Sequence, residues 1–510
     1  MVTFATSARP SWAYIAAMPN HRPQPHHRSD LVRIATNVMV ERGLEPEFSA
    51  KVGQQLAQIA GPSNEANEHI RDCTALLWCS IDNDDSEDLD QLTVCEVLPN
   101  GVVKVLVAIA DVDALVKKDT PIDGHAQTNT TSVYTSARIF PMLPERLSTD
   151  LTSLNARVER LAVVTEMVFN ADGSLAGSTV YRARVRNQAK LAYDALSDWI
   201  DGKAALPAAA AAVPGMEAQL RTQDSVAQQL RARRRTEGSL DFETFQPRAV
   251  FVGEQVVDIR QQVQNRGRQL IEELMIATNG CIARFLASQG GASLRRVVRS
   301  PERWLRIVAV AKEYGEVLPP EPDSKALELF LAKRHKADPL RFPDLSLVIV
   351  KLMGRGEYVV ETPGGLPIGH FGLAVRDYTH STAPNRRFPD LITSRMVKAV
   401  LANQPPPYSN VELGALAEHC TRQEDAAQKV ERHMRKSDAA LLLESRIGQY
   451  FEGVVTGASP EGVWVRVFSP PAEGKVVTTT VGLGVGDKIR VKLIATNVER
   501  GFIDFVPADR

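Results

Sequence analysis

The sequence predicts an α/β protein: a sheet-and-helix main domain, a short helical segment before it and a small OB-type β-barrel after it. Three observations predict this. Apolar residues recur at the two-residue period of strands between 75 and 185, and mainly at the helical period between 190 and 445, while the last 65 residues return to short strands separated by turn signals. At 510 residues the chain exceeds one core, and these changes of period divide it into an arm (1–30), a helical region (31–70), a main domain with trailing helices (71–445) and the barrel (446–510).

In the arm, Pro10, Pro19, Pro23 and Pro25 interrupt any period, which predicts flexibility. His21, His26 and His27 could hold a metal, but interleaved prolines and the lack of an acidic partner favour the arm. Leu31, Ile34, Val38 and then Val52, Leu56, Ile59 give two amphipathic helices broken at Gly43. Strands are expected over 76–81, 92–98 and 102–110, the last two joined at Pro99-Asn100-Gly101, where the Asn-Gly pair supplies the positive φ angles of a tight hairpin. A second hairpin is expected over 163–169 and 178–185 around Asn170 to Gly173. Helices are expected over 190–200, 219–234, 267–289, 303–314, 390–402 and 411–445, with 204–213 an alanine-rich connection. Five short strands near 453–455, 462–468, 475–481, 488–495 and 501–505 follow in the order of a small barrel. Gly482 to Gly486 is no phosphate loop, because it precedes a strand and lacks Lys-Ser/Thr.

Composition removes several classes. A hydrophobic content of 44% is ordinary for a globular protein, and no apolar run of about 18 residues exists to span a bilayer. The first twenty residues lack a basic region followed by a continuous apolar one; Ala, Ser and Arg without acid leave a weak transit-peptide reading, and a cytoplasmic monomer is expected. Five scattered cysteines without C-x-x-C spacing suggest neither a disulfide framework nor a zinc site. A net charge of −1 gives no global attraction to nucleic acid, so basic runs at 231–235, 295–306 and 386–387 either line a local channel or are solvated faces.

The most informative segment is Ser80 to Gln91, with five aspartates and one glutamate in twelve positions behind an apolar run. Such dense acid at a strand end calls for a cation, and hard carboxylate oxygens suit Mg²⁺, with Mn²⁺ as an alternative. Asp82, Asp88 and Asp90 are the members a tight loop can turn toward one point. A solvated acidic loop or a weak calcium loop is the competing reading; an EF-hand is excluded by the missing Gly and Glu at its fixed positions. Near the other end of the main domain, adjacent Arg386 and Arg387 close a loop before a helix, where a fork of donors can hold phosphate oxygens.

These segments, with IADVDALV (109–116), FPMLPERLSTDLTSLN (140–155), AKLAYDALSDWI (189–200), LIEELMIATN (270–279) and HFGLAVRDYTHSTAPNRRFPDLITSRM (370–396), stand in an order that resembles the ribonuclease II and ribonuclease R exoribonucleases, from about Asp72 to Ala402. The resemblance implies an RNB-type catalytic domain with a narrow channel for single-stranded RNA and an RNA-binding OB domain behind it. It implies Mg²⁺-dependent, processive hydrolysis from the 3′ end to nucleoside 5′-monophosphates. Under it, Asp82, Asp88 and Asp90 hold the metal, Arg386 neutralises charge on the scissile phosphate, and Phe140, Tyr193, Glu272, Tyr378, Arg387 and Glu431 contact RNA, with Trp464 a stacking platform on the barrel. Phe140 and Tyr193 read as core, and Glu431 as a solvated helix residue, when taken alone. Three departures stand out. Gln91 occupies the place of a fourth Asp, offering a neutral carbonyl to the metal; Ala383 and Asn385 stand where the family tends to have Ser and Ile; and the start of the chain shows helices where bacterial members have cold-shock domains. The competing reading is an RNA-binding protein with weakened or lost catalysis, and the helical N-terminus is a candidate site for a protein partner.

Overall fold

The computed structural model describes residues 27–508 apart from 244–246, 254, 262–263, 340, 366, 460–461, 479–482 and 484–486. Most of the arm and of the 482–486 string lies outside the described residues. The chain opens with two helices, α1 (Arg28–Glu41) and α2 (Ala50–Gln58), the second capped by Ser49, whose hydroxyl accepts the Val52 N–H. A short strand β1 (Ile70–Asp72) leads to β2 (Cys79–Asp82), β3 (Gln91–Val97) and β4 (Val103–Ala110). The β3–β4 turn carries Asn100 at φ 63° and Gly101 at φ 74°, the paired positive angles that a two-strand reversal with the right twist requires.

After α3 (Pro121–Asn129) come the two-residue strands β5 (Val133–Tyr134) and β6 (Ile139–Phe140), then the long hairpin β7 (Glu159–Phe169) and β8 (Leu175–Arg186), and β9 (Ala189–Ala192). Seven strands form one sheet in the order β1-β8-β7-β4-β3-β2-β9, antiparallel at its centre with parallel partners β1 and β9 at the edges. Strand alternation divides its two faces. Val105, Val107 and Ile109 of β4 join a core with α4 (Tyr193–Ile200), α6 (Met216–Thr236) and α7 (Arg266–Ser288); α5 (Ala208–Ala211) lies between α4 and α6. Leu106, Ala108 and Ala110 point the other way, into a core shared with α11 (Phe388–Leu401) and the start of the 35-residue α12 (Asn410–Glu444).

The segment expected as a helix over 190–200 is corrected: Ala189 and Leu191 bury at two-residue spacing beside β2, and the helix begins only at Tyr193. The expected strand at 76–81 likewise begins at Cys79. The sequence reading missed the hairpin β10 (Pro247–Val252) with β11 (Gln255–Gln261), the pair β12 (Ser293–Val297) with β13 (Glu357–Glu361), and the helices α9 (Ser324–Ala337) and α10 (Phe342–Met353), which pack with α8 (Trp304–Glu313) around a small separate core. Pro343 sits in the first turn of α10, where no N–H is needed.

Five strands, β14 (Tyr450–Ser459), β15 (Gly462–Phe468), β16 (Pro471–Val476), β17 (Lys488–Asn497) and β18 (Phe502–Pro507), close into the expected barrel. Its interior, with Val465, Val491, Leu493 and Phe505, is continuous with the core beneath α1 and the second half of α12. Arg466 of the barrel also pairs with Asp344 at 2.6 Å, tying it to α10. Among the described residues, no helix is long and apolar enough to cross a membrane.

Candidate active site

The acidic segment folds as the connection between β2 and β3, at one end of the sheet. Asp82 closes β2, and its Oδ1 accepts the Asn83 N–H at 2.7 Å and the Ser86 hydroxyl at 2.9 Å, a local turn that short carboxylates favour. Asp90 stands just before β3 with 1% of its surface exposed. Its Oδ1 accepts the Asn385 N–H at 3.0 Å and its Oδ2 lies 3.2 Å from Arg386 Nε, so the two ends of the main domain meet on one carboxylate. Burial pushes the Asp90 carboxyl up to about 7 against the opposing pull of Arg386, and burial likewise raises Asp88. The Tyr134 hydroxyl points at Asp88 Oδ2 from 3.5 Å.

Arg386 is fixed through its backbone: its carbonyl accepts the Ser132 N–H at 3.0 Å and the Thr131 hydroxyl at 3.1 Å. Its side chain faces Asp90, Asp88, Asp82 and the Tyr134 phenol, and these hold its charge firmly in place. The side chain is 45% exposed, so the guanidinium that contacts buried Asp90 is also open to water. Tyr193 senses the charges of Asp82 and Arg386, and Arg268 of α7 lies over its ring at 4.6 Å while donating to Asn83 Oδ1 at 2.8 Å. Asp82, Asp88, Asp90, Arg386, Tyr134 and Tyr193 thus form one electrostatically connected site.

The remaining expected residues divide. Glu272, one helical turn beyond Arg268, has its carboxyl raised by burial and accepts from Gln264 Nε2 at 3.1 Å. Glu431 of α12 accepts the Tyr134 N–H at 3.0 Å and so fixes the strand that presents that ring. Arg387 turns away from Asp90 to pair with Asp390 at 2.8 Å. Trp464 is half-buried on the barrel, with Lys475 Nζ 5.8 Å from its ring centre, whereas Phe451, whose ring meets Phe505, is barrel core.

Two expectations are corrected. Phe140 is 2% exposed and packs in the core shared with α1 and α12, so its ring is not presented to a base. Tyr378 is buried too, edge-on to His370 and His380, with its hydroxyl accepting from Asn279. Tyr134, which sequence reasoning missed, is the aromatic that reaches the carboxylates. Its only sequence signal is the run Thr131-Ser132-Val133-Tyr134, too short to read as a strand.

Among the described residues, no three His, Cys, Asp or Glu side chains stand gathered as a ready metal cage. The donor chemistry nevertheless fits a hard divalent cation: two carboxylates whose ionised forms suffer from burial, beside a third at the strand end. Gln91, 6% exposed, pairs with Ile109 across the sheet.

An α/β sheet with buried carboxylates facing an arginine at its end, followed by a closed five-stranded barrel, defines a class that comparison with known proteins identifies. An RNB domain matches residues 70–403, and an RNase II-type exonuclease C-terminal S1 domain matches residues 449–508. The chain belongs to the RNB domain family. Ribonuclease R of Vibrio cholerae is 30% identical over 503 residues, which cover 90% of this chain and 59% of that protein. The chain therefore spans somewhat over half the length of such relatives. In fold it is similar to the apo form of Mycoplasma genitalium RNase R, with a TM-score of 0.86 at 22% identity, covering 94% of this chain and 78% of that one. Yeast Ssd1, a pseudonuclease, shares the fold at a TM-score of 0.69 and 16% identity, covering 90% of this chain and 57% of that one.

Proposed function

We propose that this chain is a 3′-to-5′ exoribonuclease that hydrolyses single-stranded RNA processively to nucleoside 5′-monophosphates, acting as a cytoplasmic monomer. The observation that carries the reading is the contact of buried Asp90 with Arg386 at the end of an RNB-type sheet, beside Asp88, Tyr134 and Tyr193. Asp82, Asp88 and Asp90 would hold Mg²⁺ or Mn²⁺, which supplies Lewis acidity and charge neutralisation for attack of water on a phosphodiester. Arg386 offers a fixed cation to the oxygens of the scissile phosphate; its charge is set in advance by three carboxylates, so little reorganisation is needed when phosphate arrives. The rings of Tyr134 and Tyr193 present faces on which terminal bases can stack, each worth about 1–3 kcal/mol. Glu272 and Arg387 extend the contacts along the strand, and the barrel, with Trp464, takes RNA farther from the end.

A second reading, an RNA-binding protein with weakened or lost catalysis, is favoured by Gln91 in place of a carboxylate and by the occurrence of a pseudonuclease on the same fold. Native-gel binding and denaturing-gel cleavage of the same labelled RNA, with and without Mg²⁺, separate the two. Binding with metal-dependent mononucleotide release supports the enzyme, and binding alone supports the second reading.

A further inference from the structure

The segment Thr152-Ser153-Leu154 lies outside the site, yet its hydrogen bonds reach both halves of it. The Ser153 hydroxyl accepts the Leu89 N–H at 2.9 Å and donates to the Glu87 carbonyl at 2.7 Å, so it bridges the backbone on either side of Asp88. The Leu154 N–H donates to the Leu89 carbonyl at 3.0 Å, the peptide unit immediately before Asp90. Thr152 Oγ1 lies 2.5 Å from the Asn385 side-chain amide, and Asn385 is the residue whose own N–H holds Asp90 and whose neighbour is Arg386. Thr152, Ser153, Leu154 and Asn385 are 5%, 0%, 1% and 1% exposed, so water does not compete for these bonds.

Donor accounting sharpens the Thr152 contact. Its hydroxyl carries one hydrogen but approaches two acceptors, Leu147 O at 2.8 Å and Asn385 Oδ1 at 2.5 Å, while the buried Asn385 Nδ2 has no partner among the described residues. Exchanging the amide oxygen and nitrogen resolves the first conflict, since Nδ2 then donates to Thr152 Oγ1, which donates to Leu147 O, and the amide atom left without a partner is an acceptor instead of a donor. Asn385 then hangs on a directed chain of bonds that ends in the turn Arg146–Leu151.

We infer that Thr152 and Ser153 are positioning residues that hold the Asp88–Asp90 loop and the Asn385–Arg386 turn in register, Thr152 acting through Asn385 and Ser153 through the backbone around Asp88. The inference rests on the exoribonuclease reading for its kinetic consequence, but not for its structural one. Loop and turn come from distant parts of the chain, and a shift of about 1 Å between them is enough to lower a rate about 100-fold.

The test uses the full chain with Thr152→Val, Thr152→Ser and Ser153→Ala, a 5′-labelled single-stranded RNA with Mg²⁺, and hydrogen exchange of segments 86–90 and 383–387. Thr152→Val is expected to lower kcat about 10- to 100-fold with KM within about twofold of wild type. Thr152→Ser, which keeps the hydroxyl, is expected to recover most of kcat. Exchange should quicken at 383–387 in Thr152→Val and at 86–90 in Ser153→Ala. A rise in KM alone, no rescue by Ser, or unchanged exchange in both segments overturns the inference. A wild type that cuts nothing overturns the exoribonuclease reading instead, and the exchange data then decide the positioning role by themselves.

Discussion

Asp90 and Arg386, 296 positions apart, meet at 3.2 Å, with the carboxylate buried and the guanidinium open to water. The pair explains why each is where it is. Arg386 opposes the upward push that burial gives the Asp90 carboxyl, and the carboxylate in turn holds the guanidinium at the end of the sheet.

The first prediction concerns that pair. Asp90→Asn is expected to lower the cleavage rate at least about 100-fold, because it removes a carboxylate beside the reacting centre. RNA affinity measured by filter binding should stay within a few-fold of wild type, since Arg386, Tyr134 and Tyr193 remain. Equal loss of binding and cutting would show Asp90 to be part of the scaffold only.

Gln91→Asp adds a charge at a position 6% exposed. Without metal the variant should melt at a lower temperature than wild type, as an uncompensated buried carboxylate costs several kcal/mol. With Mg²⁺ the deficit should shrink, and the Mg²⁺ concentration for half-maximal cleavage should fall. Melting curves across a Mg²⁺ titration check both, and a deficit that metal leaves unchanged argues that position 91 does not sense the cation.

Stability away from the site depends on a buried ionic network. Arg395, 4% exposed, contacts Asp113 at 2.9 Å, Asp123 at 2.8 Å and the Tyr408 hydroxyl at 2.7 Å, while Lys398 joins Asp111 and Asp113. Arg395→Leu leaves buried Asp123 without its cation, while Asp113 keeps Lys398, and is expected to destabilise by about 3–5 kcal/mol, visible as a lower denaturation midpoint. A change within about 0.5 kcal/mol, typical of surface sites, would contradict the network's role.

Asp438 supplies a pH dependence. Buried on α12 with Ser136 Oγ 2.7 Å from both carboxyl oxygens, it is pushed up from 3.8 to about 7. Between those values the native state keeps a proton that the unfolded chain has released. Its contribution to stability is therefore full below pH 3.8 and is lost as pH rises through 7. Thermal melts from pH 5 to 8 should show a decline for wild type that is shallower in Asp438→Asn; parallel curves would rule out Asp438 as the source.

The parts of this molecule that announced themselves in sequence are those governed by local chemistry. The Asn100-Gly101 turn, the apolar, valine-rich run of Val103 to Ala110 and the Ser80–Gln91 acid each carry their own signal within about a dozen residues. What stayed hidden depends on distant packing. Tyr134 is placed by distant partners, among them Glu431, 297 positions away, which accepts its backbone N–H. The family resemblance implied RNA contacts for Phe140 and Tyr378, which the tertiary core instead buries. Strand β9 is four residues long and is defined by its pairing with β2 rather than by its own propensity.

The most direct test of the central claim is incubation of the full chain with a 5′-labelled single-stranded RNA of about 30 nucleotides, in Mg²⁺ and in EDTA, beside Asp90→Asn, resolved on a denaturing gel. The account predicts a ladder shortening from the 3′ end with wild type in Mg²⁺, and none with EDTA or the variant. Intact RNA in every lane, or equal cutting by wild type and Asp90→Asn, would contradict it.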